Sequence, residues 1–404
     1  MSDPNPKDPY RWAILALGTA AVFGALGLAR FGYSAVLPAM QQGLGMTNTQ
    51  AGIMATANLA GYLALSAIGG ALASQFGARL IVSLGLLVCG AGMLLTGMSG
   101  TFAAAVLWRV ITGFGSGAAN IGAMGMWATW FEPNRRGTAA GIAVTGSSFA
   151  LIFTGPVAPY IINSFGSNGW RSCWYVFGAI TLALAALCAV ALKNQPAPTP
   201  AMPAAEKSPG QTGRGWANVY GSWPVWHLGL VYVAFGFSYI IYMTFFVKYL
   251  AAEQGYSRQA AGNLFMLMGI CSLACGLLWG GLSDRIGRKQ TLVIIYLIQC
   301  TAFAFFALWH THAGLAMSAV LFGITAWSIP AIMAATCGDV LGARLAPAGL
   351  GFITLFFGVG QAVAPSVAGA LADKFGSFSP AFLLAACVAL IGAIAAAGLK
   401  KSSR

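Results

Sequence analysis

The stretch GGLSDRIGRKQ, from Gly280 to Gln290, repeats an earlier stretch of the chain, GALASQFGARL, from Gly70 to Leu80. The two stretches are 210 residues apart, and the same offset places SFGS at 164–167 on KFGS at 374–377. Because one offset relates several distant pairs, it predicts an internal duplication. The chain is therefore expected to consist of two related halves.

The composition indicates that most of the chain lies in lipid. Of 404 residues, 58% are hydrophobic and 7% are charged, whereas soluble domains carry about 25% charged residues. The 53 glycines suit the close packing of transmembrane helices. The eight cysteines include no C-x-x-C spacing, so they predict neither a metal site nor a disulfide framework.

Twelve apolar runs approach or exceed the length of about 20 residues that a helix needs to cross a bilayer. The predicted spans are 12–38, 48–73, 80–98, 103–128, 138–163, 170–193, 226–250, 260–282, 290–309, 314–336, 346–370 and 378–399. The stretch 194–225 is rich in Pro, Ala, Gly and charge, and predicts a cytoplasmic linker. The predicted fold is an all-α membrane protein, with one six-helix bundle in 1–193 and a pseudo-symmetric second one in 226–404.

Lys and Arg are divided unevenly between the predicted loops on the two sides of the membrane. With a cytoplasmic N-terminus, fifteen of these residues lie on the inner side and four on the outer side. By the positive-inside rule, we expect a multi-pass membrane protein with both termini in the cytoplasm. This distribution explains the net charge of +13 without a nucleic-acid partner, and we expect a monomer in contact with membrane lipid.

The loop pattern G-x-L-x-D-R-x-G-R-K over 280–289 resembles the signature loop of the major facilitator superfamily. The equivalent loop of the first half is degenerate, with Ser74 where the family usually has Asp. Arg109 and Gly113 resemble the family's fourth-helix RxxxG motif, and WFEPNRRGTAAG at 130–141 resembles its loop into the fifth helix. The resemblance covers essentially the whole chain.

The resemblance implies two six-helix bundles around a central cavity that is lined by the first, fourth, seventh and tenth helices. It also implies that the signature loops act as latches between conformations. A gating role is therefore implied for Asp284, Arg285, Arg288, Gly77 and Arg79. A weaker resemblance to bacterial oxalate/formate and monocarboxylate carriers implies an organic anion as cargo and a bacterial inner membrane as the location. Those carriers often place a substrate-binding Arg in the eighth helix, which has no charge here, so an anion site must be built elsewhere.

Arg30 and Arg109 are the two basic residues well inside predicted spans, where a charge costs about 2.5–3.5 kcal/mol on insertion scales. They lie roughly 13 Å and 9 Å below the predicted outer helix ends, and no acidic residue falls inside a span. Two guanidiniums without a carboxylate predict a cavity that binds an anion, and the planar fork of Arg suits a carboxylate. The alternatives are snorkelling or bonding to helix-end carbonyls for Arg30, and a structural or coupling role for Arg109.

Polar residues elsewhere in the spans could complete the site. Tyr239 and Tyr242 are three residues apart in the seventh helix, so they are expected to share one inward-looking face. The other candidate substrate-binding residues are Asn58, Tyr62, Gln361, Trp327 and Ser328. Helix–helix packing is the alternative for the tyrosines, and hydrogen bonding between helices is the alternative for the two amides.

These patterns predict a secondary active transporter that moves a small organic anion, a carboxylate, by alternating access. We expect uptake coupled to protons. The alternative is an efflux antiporter for drugs or metabolites, but exporters of cationic drugs usually need an acidic residue in the cavity. The sequence contains no nucleophile–base set, metal cluster or nucleotide motif, so it predicts neither an enzyme nor a cofactor.

Overall fold

A computed structural model describes residues 9–132, 135–195 and 219–399. Regular structure in these residues is helical, without strands. We group the helices into twelve segments: α1 (Tyr10–Leu44), α2 (Asn48–Phe76), α3 (Ala78–Met98), α4 (Phe102–Trp130), α5 (Arg136–Phe165), α6 (Gly169–Ala191), α7 (Trp223–Ala252), α8 (Arg258–Ser272 and Cys275–Ile286), α9 (Arg288–Leu308), α10 (His312–Gly342), α11 (Ala348–Phe375) and α12 (Ser379–Ala397).

The helices agree with the predicted spans, with differences at several ends. Nine helical stretches of the described residues are long and apolar enough to cross a membrane, or ten if the bent α2 counts as one span. One of the nine, Arg136–Ala191, has 56 residues and is long enough for two crossings. The predicted count of twelve is consistent with these helices. α7 begins at Trp223 rather than 226, and residues 196–218 of the predicted linker lie outside the described part of the chain.

Helix starts and turns follow from identifiable residues. Thr47 and Gln50 form a capping box at the start of α2, which satisfies backbone N–H groups that the helix leaves free. Ser257 caps α8 through the N–H of Ala260. α2 and α3 are joined at Gly77, and the two helices α8 and α9 at the equivalent Gly287, with φ of 88° and 97°. Such a backbone favours glycine because other residues are strained there.

The offset of 210 residues recurs in the helix boundaries. Equivalent helices of the two halves begin at equivalent residues, which are Asn48 and Arg258, Ala78 and Arg288, Phe102 and His312, and Gly169 and Ser379. The duplication that the loop stretches predict therefore extends through the helices.

The two halves meet along two seams at one end of the molecule. We call this the distal end; it contains the turn between α1 and α2. In the first seam, between α2 and α11, Gly52 packs against the carbonyl of Pro365 so closely that a Cβ would overlap it. In the second, between α5 and α8, Gly262 packs in the same way on the carbonyl of Gly155. These contacts close the distal end, and α1 also lies against α7.

Candidate functional site

Arg30 lies in a π-helical stretch of α1, Phe23–Phe31, and its guanidinium reaches the other half of the molecule. Its Nη1 donates to Oε1 of Gln361 in α11 at 3.0 Å. Its guanidinium carbon lies 4.3 Å from the ring centroid of Tyr62 in α2, within cation–π range. The residue is 9% exposed. The alternative of snorkelling toward the headgroups is therefore wrong.

Gln361 joins three helices at this point. Its Oε1 accepts a second hydrogen bond, from the hydroxyl of Tyr239 in α7 at 2.7 Å. Gln361 and Tyr239 are 1% and 2% exposed. The side chains of Arg30, Gln361 and Tyr239 thus form a buried bridge between the first and second halves.

Arg109 lies in α4 and is 1% exposed. Its Nη1 donates to the carbonyl of Ala29 at 2.6 Å, and its guanidinium carbon lies 4.9 Å and 5.1 Å from the ring centroids of Tyr33 and Trp174. α1 continues to Leu44, six residues beyond its predicted end, so depths counted from the predicted helix ends were inaccurate. The contact with Ala29 nevertheless places Arg109 beside the turn that carries Arg30.

The motif of Arg109 and Gly113 has a packing role in this arrangement. A Cβ on Gly113 would overlap the backbone carbonyl of Asn58 in α2, so the glycine lets α2 and α4 approach closely. At this approach, Nδ2 of Asn58 donates to the carbonyl of Arg109 at 3.2 Å. The motif thereby fixes Asn58 beside the arginines.

Arg30 and Arg109 line one cavity between the halves, which at about 10 Å³ has room for about one water molecule. Its lining residues are Arg30, Phe31, Tyr33, Ala55, Asn58, Leu59, Arg109, Ile240, Met243 and Thr244. Around it, Nε and Nη2 of Arg30, Nε of Arg109 and Nε2 of the adjacent Gln361 are buried N–H donors without a hydrogen-bond partner. Oδ1 of Asn58 is a buried acceptor without one. Buried polar groups are usually paired, and this excess of donors suits an anion.

No carboxylate of the described residues forms an ion pair with Arg30 or Arg109. The two ion pairs found among the described residues both involve Arg288, whose partners are Asp284 and Asp339. These pairs lie in the second half, at the end opposite the distal end. The side chains of Glu253 and Asp373 are bonded at the distal end. Arg30 and Arg109 therefore lie without an acidic partner among the described residues.

Comparison with known proteins identifies the class. Residues 22–397 match the profile of a family described as "Uncharacterised MFS-type transporter YbfB". The chain belongs to this family of MFS-type transporters. The assignment confirms the predicted superfamily and fold class, and the prediction that the protein is a transporter and not an enzyme.

Individual relatives of this MFS-type transporter are similar along nearly their whole length. The chain is 24% identical to the "Probable sulfoacetate transporter SauU" of Cupriavidus necator, over 91% of this chain and 88% of the relative. It is 25% identical to the "Hexuronate transporter" of Bacillus subtilis, over 95% and 92%. The crystal structure of a bacterial homolog of the human lysosomal transporter Spinster has a TM-score of 0.73 at 15% identity, and the match covers 97% of this chain and 96% of that one. This likeness shows the fold.

Two predicted site residues of the MFS-type transporter lie away from this cavity, and a third contacts its lining residue Phe31. Tyr242 does not share the environment of Tyr239, because its hydroxyl bonds Ser318 at 2.7 Å and its ring packs among phenylalanines inside the second half. Ser328 is fully buried and donates to the carbonyl of Thr325 in its own helix. We therefore remove both from the site. The third is Trp327, described next.

Trp327 joins the halves at a different point. Its Nε1 donates to Oγ of Ser148 in α5 at 3.0 Å, and its ring centroid lies 5.3 Å from that of Phe31. Tyr62, which was predicted to line the cavity from α2, lies with its ring against the guanidinium of Arg30, and its hydroxyl accepts from Nδ2 of Asn120 in α4 at 2.9 Å.

Several residues around the cavity were not predicted from the sequence. Tyr33 follows Arg30 by three residues and so faces a similar direction, which is a signal the sequence contained. Ile240, Met243 and Thr244 on α7 are ordinary residues of an apolar helix, and nothing in their pattern marks them as cavity-lining.

The residues with an implied gating role lie at the turns that end α2 and α8. Arg288 donates to Asp284 at 2.5 Å and to Asp339 of α10 at 3.3 Å, so it ties this turn to α10; Arg285 lies in the same turn. In the first half, Arg79 lies two residues after Gly77. Its backbone N–H donates to Oδ1 of Asn194 at 2.8 Å, and its Nε donates to the carbonyl of Ala189 at 2.7 Å.

Proposed function

We propose that this MFS-type transporter is a secondary carrier of a small organic anion, a carboxylate or a similar oxyanion, and that it works by alternating access. The observation that carries the proposal is the pair of unpartnered N–H groups on Arg30, Nε and Nη2, beside a cavity between the halves. These two groups form one edge of the guanidinium, and an oxyanion can accept from both at once.

The energetics favour an anion over a neutral or cationic cargo. Each buried donor without a partner costs about 1–3 kcal/mol, and a bound anion would remove that cost at several donors together. A cation would meet two guanidiniums and no described carboxylate. The relatives named for sulfoacetate and hexuronate, both organic anions, support the same cargo class for this chain.

The site also suits alternating access. Arg30 belongs to the first half, whereas Gln361 and Tyr239 belong to the second. An anion held by Arg30 and by Nε2 of Gln361 would contact both halves, so its binding free energy would depend on their relative position. That dependence is what allows a ligand to shift a conformational equilibrium.

For direction and coupling, we propose uptake with protons across a bacterial inner membrane, with both termini in the cytoplasm and the protein as a monomer. Since no described carboxylate lines the cavity, the proton is expected to travel with the substrate or to bind elsewhere. The test is uptake of radiolabelled anion into proteoliposomes of known orientation. We expect an acidic exterior to accelerate uptake; a rate that is independent of the pH gradient would contradict the coupling.

The cargo class is tested by thermal unfolding of the purified protein with a ligand panel. The panel contains acetate, lactate, benzoate, sulfoacetate and glucuronate, with tetraphenylphosphonium and ethidium as lipophilic cations. We expect at least one anion to raise the melting temperature, and Arg30→Ala to abolish that rise. Arg171→Ala is the matched control, because Arg171 is a partly buried arginine bonded to the carbonyls of Gly97 and Ser99 near the distal end. Stabilisation by the cations alone, unchanged in Arg30→Ala, would instead favour the efflux alternative.

A further inference from the structure

The backbone that carries Arg30 is wound more loosely than an α-helix. The stretch Phe23–Phe31 is π-helical, and at its end the N–H of Gly32 donates to the carbonyl of Gly27, five residues back. π-helical turns are rare, occur mostly as single turns inside α-helices and are frequent at functional sites. A stretch of nine residues therefore needs stabilising contacts from its neighbours.

Two side chains of α4 supply such contacts. Arg109 donates to the carbonyl of Ala29, and Ser116 donates to the carbonyl of Ala25. Arg109 and Ser116 are seven residues apart, two helical turns, and so lie on the same face of α4. Both are essentially inaccessible, at 1% and 0% exposure. Each therefore gives a buried hydrogen bond to the π-helical stretch rather than to its own helix.

The opposite side of the stretch is held by α5. A Cβ on Gly27 would overlap the Cβ of Ala150, and a Cβ on Gly146 would lie 2.8 Å from the backbone nitrogen of Phe23. α5 thus packs directly on the backbone of the stretch. The π-helical turn lies between a close-packed wall on α5 and two hydrogen-bond donors on α4.

We propose that Ser116 and Arg109 are positioning residues, which hold the π-helical turn and thereby aim Arg30 at Gln361. The inference rests on the proposed function, in which Arg30 binds the anion. Conversion of the turn to an α-helix shifts the register by one residue, which rotates later side chains by about 100°. Such a rotation would move the guanidinium away from Gln361 and Tyr62. In this proposal the main role of Arg109 is to bind the backbone of α1 through the carbonyl of Ala29.

The test compares Ser116→Ala with Ser238→Ala. Ser238 is an equally buried serine whose hydroxyl bonds the carbonyl of Ala234 in its own helix, so it controls for loss of a buried hydroxyl. Two quantities are measured: amide hydrogen exchange of a peptide that covers residues 23–32, without ligand, and the Kd for sulfoacetate, with glucuronate in parallel. We expect Ser116→Ala to accelerate exchange in this peptide and to weaken anion binding by about tenfold, as for one lost hydrogen bond.

Ser238→Ala is expected to leave both quantities as in the parent protein, and Ser116→Thr, which keeps the hydroxyl, should restore them. Unchanged exchange in Ser116→Ala would show that Ser116 does not hold the π-helical turn. Faster exchange with unchanged anion affinity would show that holding the turn does not aim Arg30. The failure of the proposed function gives a different result. If Arg30→Ala binds the anions as well as the parent protein does, Arg30 does not bind the anion. Exchange in Ser116→Ala still decides whether Ser116 holds the π-helical turn.

Discussion

The two halves share their backbone contacts but not their chemistry. At the offset of 210, the contact of Gly113 with the carbonyl of Asn58 has its equivalent in Gly323, where a Cβ would lie 2.8 Å from the carbonyl of Met268. The seam contact of Gly52 with Pro365 likewise corresponds to that of Gly262 with Gly155. Close helix packing is thus kept in both halves.

The charged positions diverge. The residue equivalent to Arg30 is Ile240, which lines the same cavity, and the residue equivalent to Arg109 is Ala319, which is fully buried. The first half supplies both cations, while the second supplies the neutral Gln361. Duplication therefore preserved the places where helices approach closely and left the side chains between them free to specialise.

The largest expected effect comes from comparing substitutions of Arg30 and of its equivalent residue Ile240. Arg30→Ala removes two charge-assisted hydrogen bonds to an anion, so we expect its affinity to fall on the order of a hundredfold. Ile240→Ala removes an apolar wall of the same cavity and is expected to weaken binding less than tenfold. Equilibrium binding of sulfoacetate and glucuronate measures both; equal losses would mean that the two halves contribute alike.

The second effect tests the shared packing. Gly113→Ala places a methyl group against the carbonyl of Asn58 and should destabilise the protein by about 1–3 kcal/mol. Gly323→Ala should likewise destabilise the protein, through the second half. Gly125→Ala is the control within α4, because a Cβ there has no atom within 4 Å, and it is expected to be neutral or stabilising by up to about 1 kcal/mol. Denaturation in detergent compares the stability of the three variants. An unchanged stability of Gly113→Ala would refute the packing role.

A smaller effect is expected when the buried bridge of Arg30, Gln361 and Tyr239 loses one hydrogen bond. Tyr239→Phe removes one hydrogen bond to Gln361 and is expected to weaken anion binding by up to about tenfold. Tyr242→Phe, three residues along the same helix, removes only the bond to Ser318 and should leave anion affinity unchanged. If the second substitution had the larger effect on affinity, the exclusion of Tyr242 from the site would be wrong.

The smallest effect concerns the seams. Asp373 of α11 accepts from the backbone N–H groups of Asn48 and Thr49 at the start of α2, at 3.0 Å and 2.7 Å. The equivalent residue in the other seam is the neutral Asn163, which accepts from Arg258 at 3.3 Å. The distal end is therefore held by a carboxylate on a helix N-terminus in one seam only.

Asp373→Asn should weaken the α2–α11 seam by about 1 kcal/mol or less, whereas Asn163→Asp adds a carboxylate beside Arg258 and should tighten the α5–α8 seam. Distances between spin labels at the distal end, in a cysteine-free background, report the closed fraction. We expect a lower closed fraction for the first variant and a higher one for the second. Shifts in the same direction would show that charge at the seams does not control closure.

The architecture and the burial of Arg30 could be predicted from the sequence because both leave strong signals in it. A repeat offset, long apolar runs and a lone guanidinium in an apolar stretch can all be recognised without a structure. The role of Tyr242 could not be predicted, because a three-residue spacing gives a direction on the helix but not the helix that lies opposite. The π-helical turn and the hydrogen bonds of Asp373 to the start of α2 depend on contacts between residues that are distant in sequence, and no local pattern specifies them.

The most direct test of the central claim is an experimental structure of the protein with a bound anion, sulfoacetate or glucuronate. We expect anion oxygens within hydrogen-bond distance of Nε and Nη2 of Arg30, with Nε2 of Gln361 completing the contact from the other half. An anion bound elsewhere, with the guanidinium of Arg30 still free of it, would contradict the account.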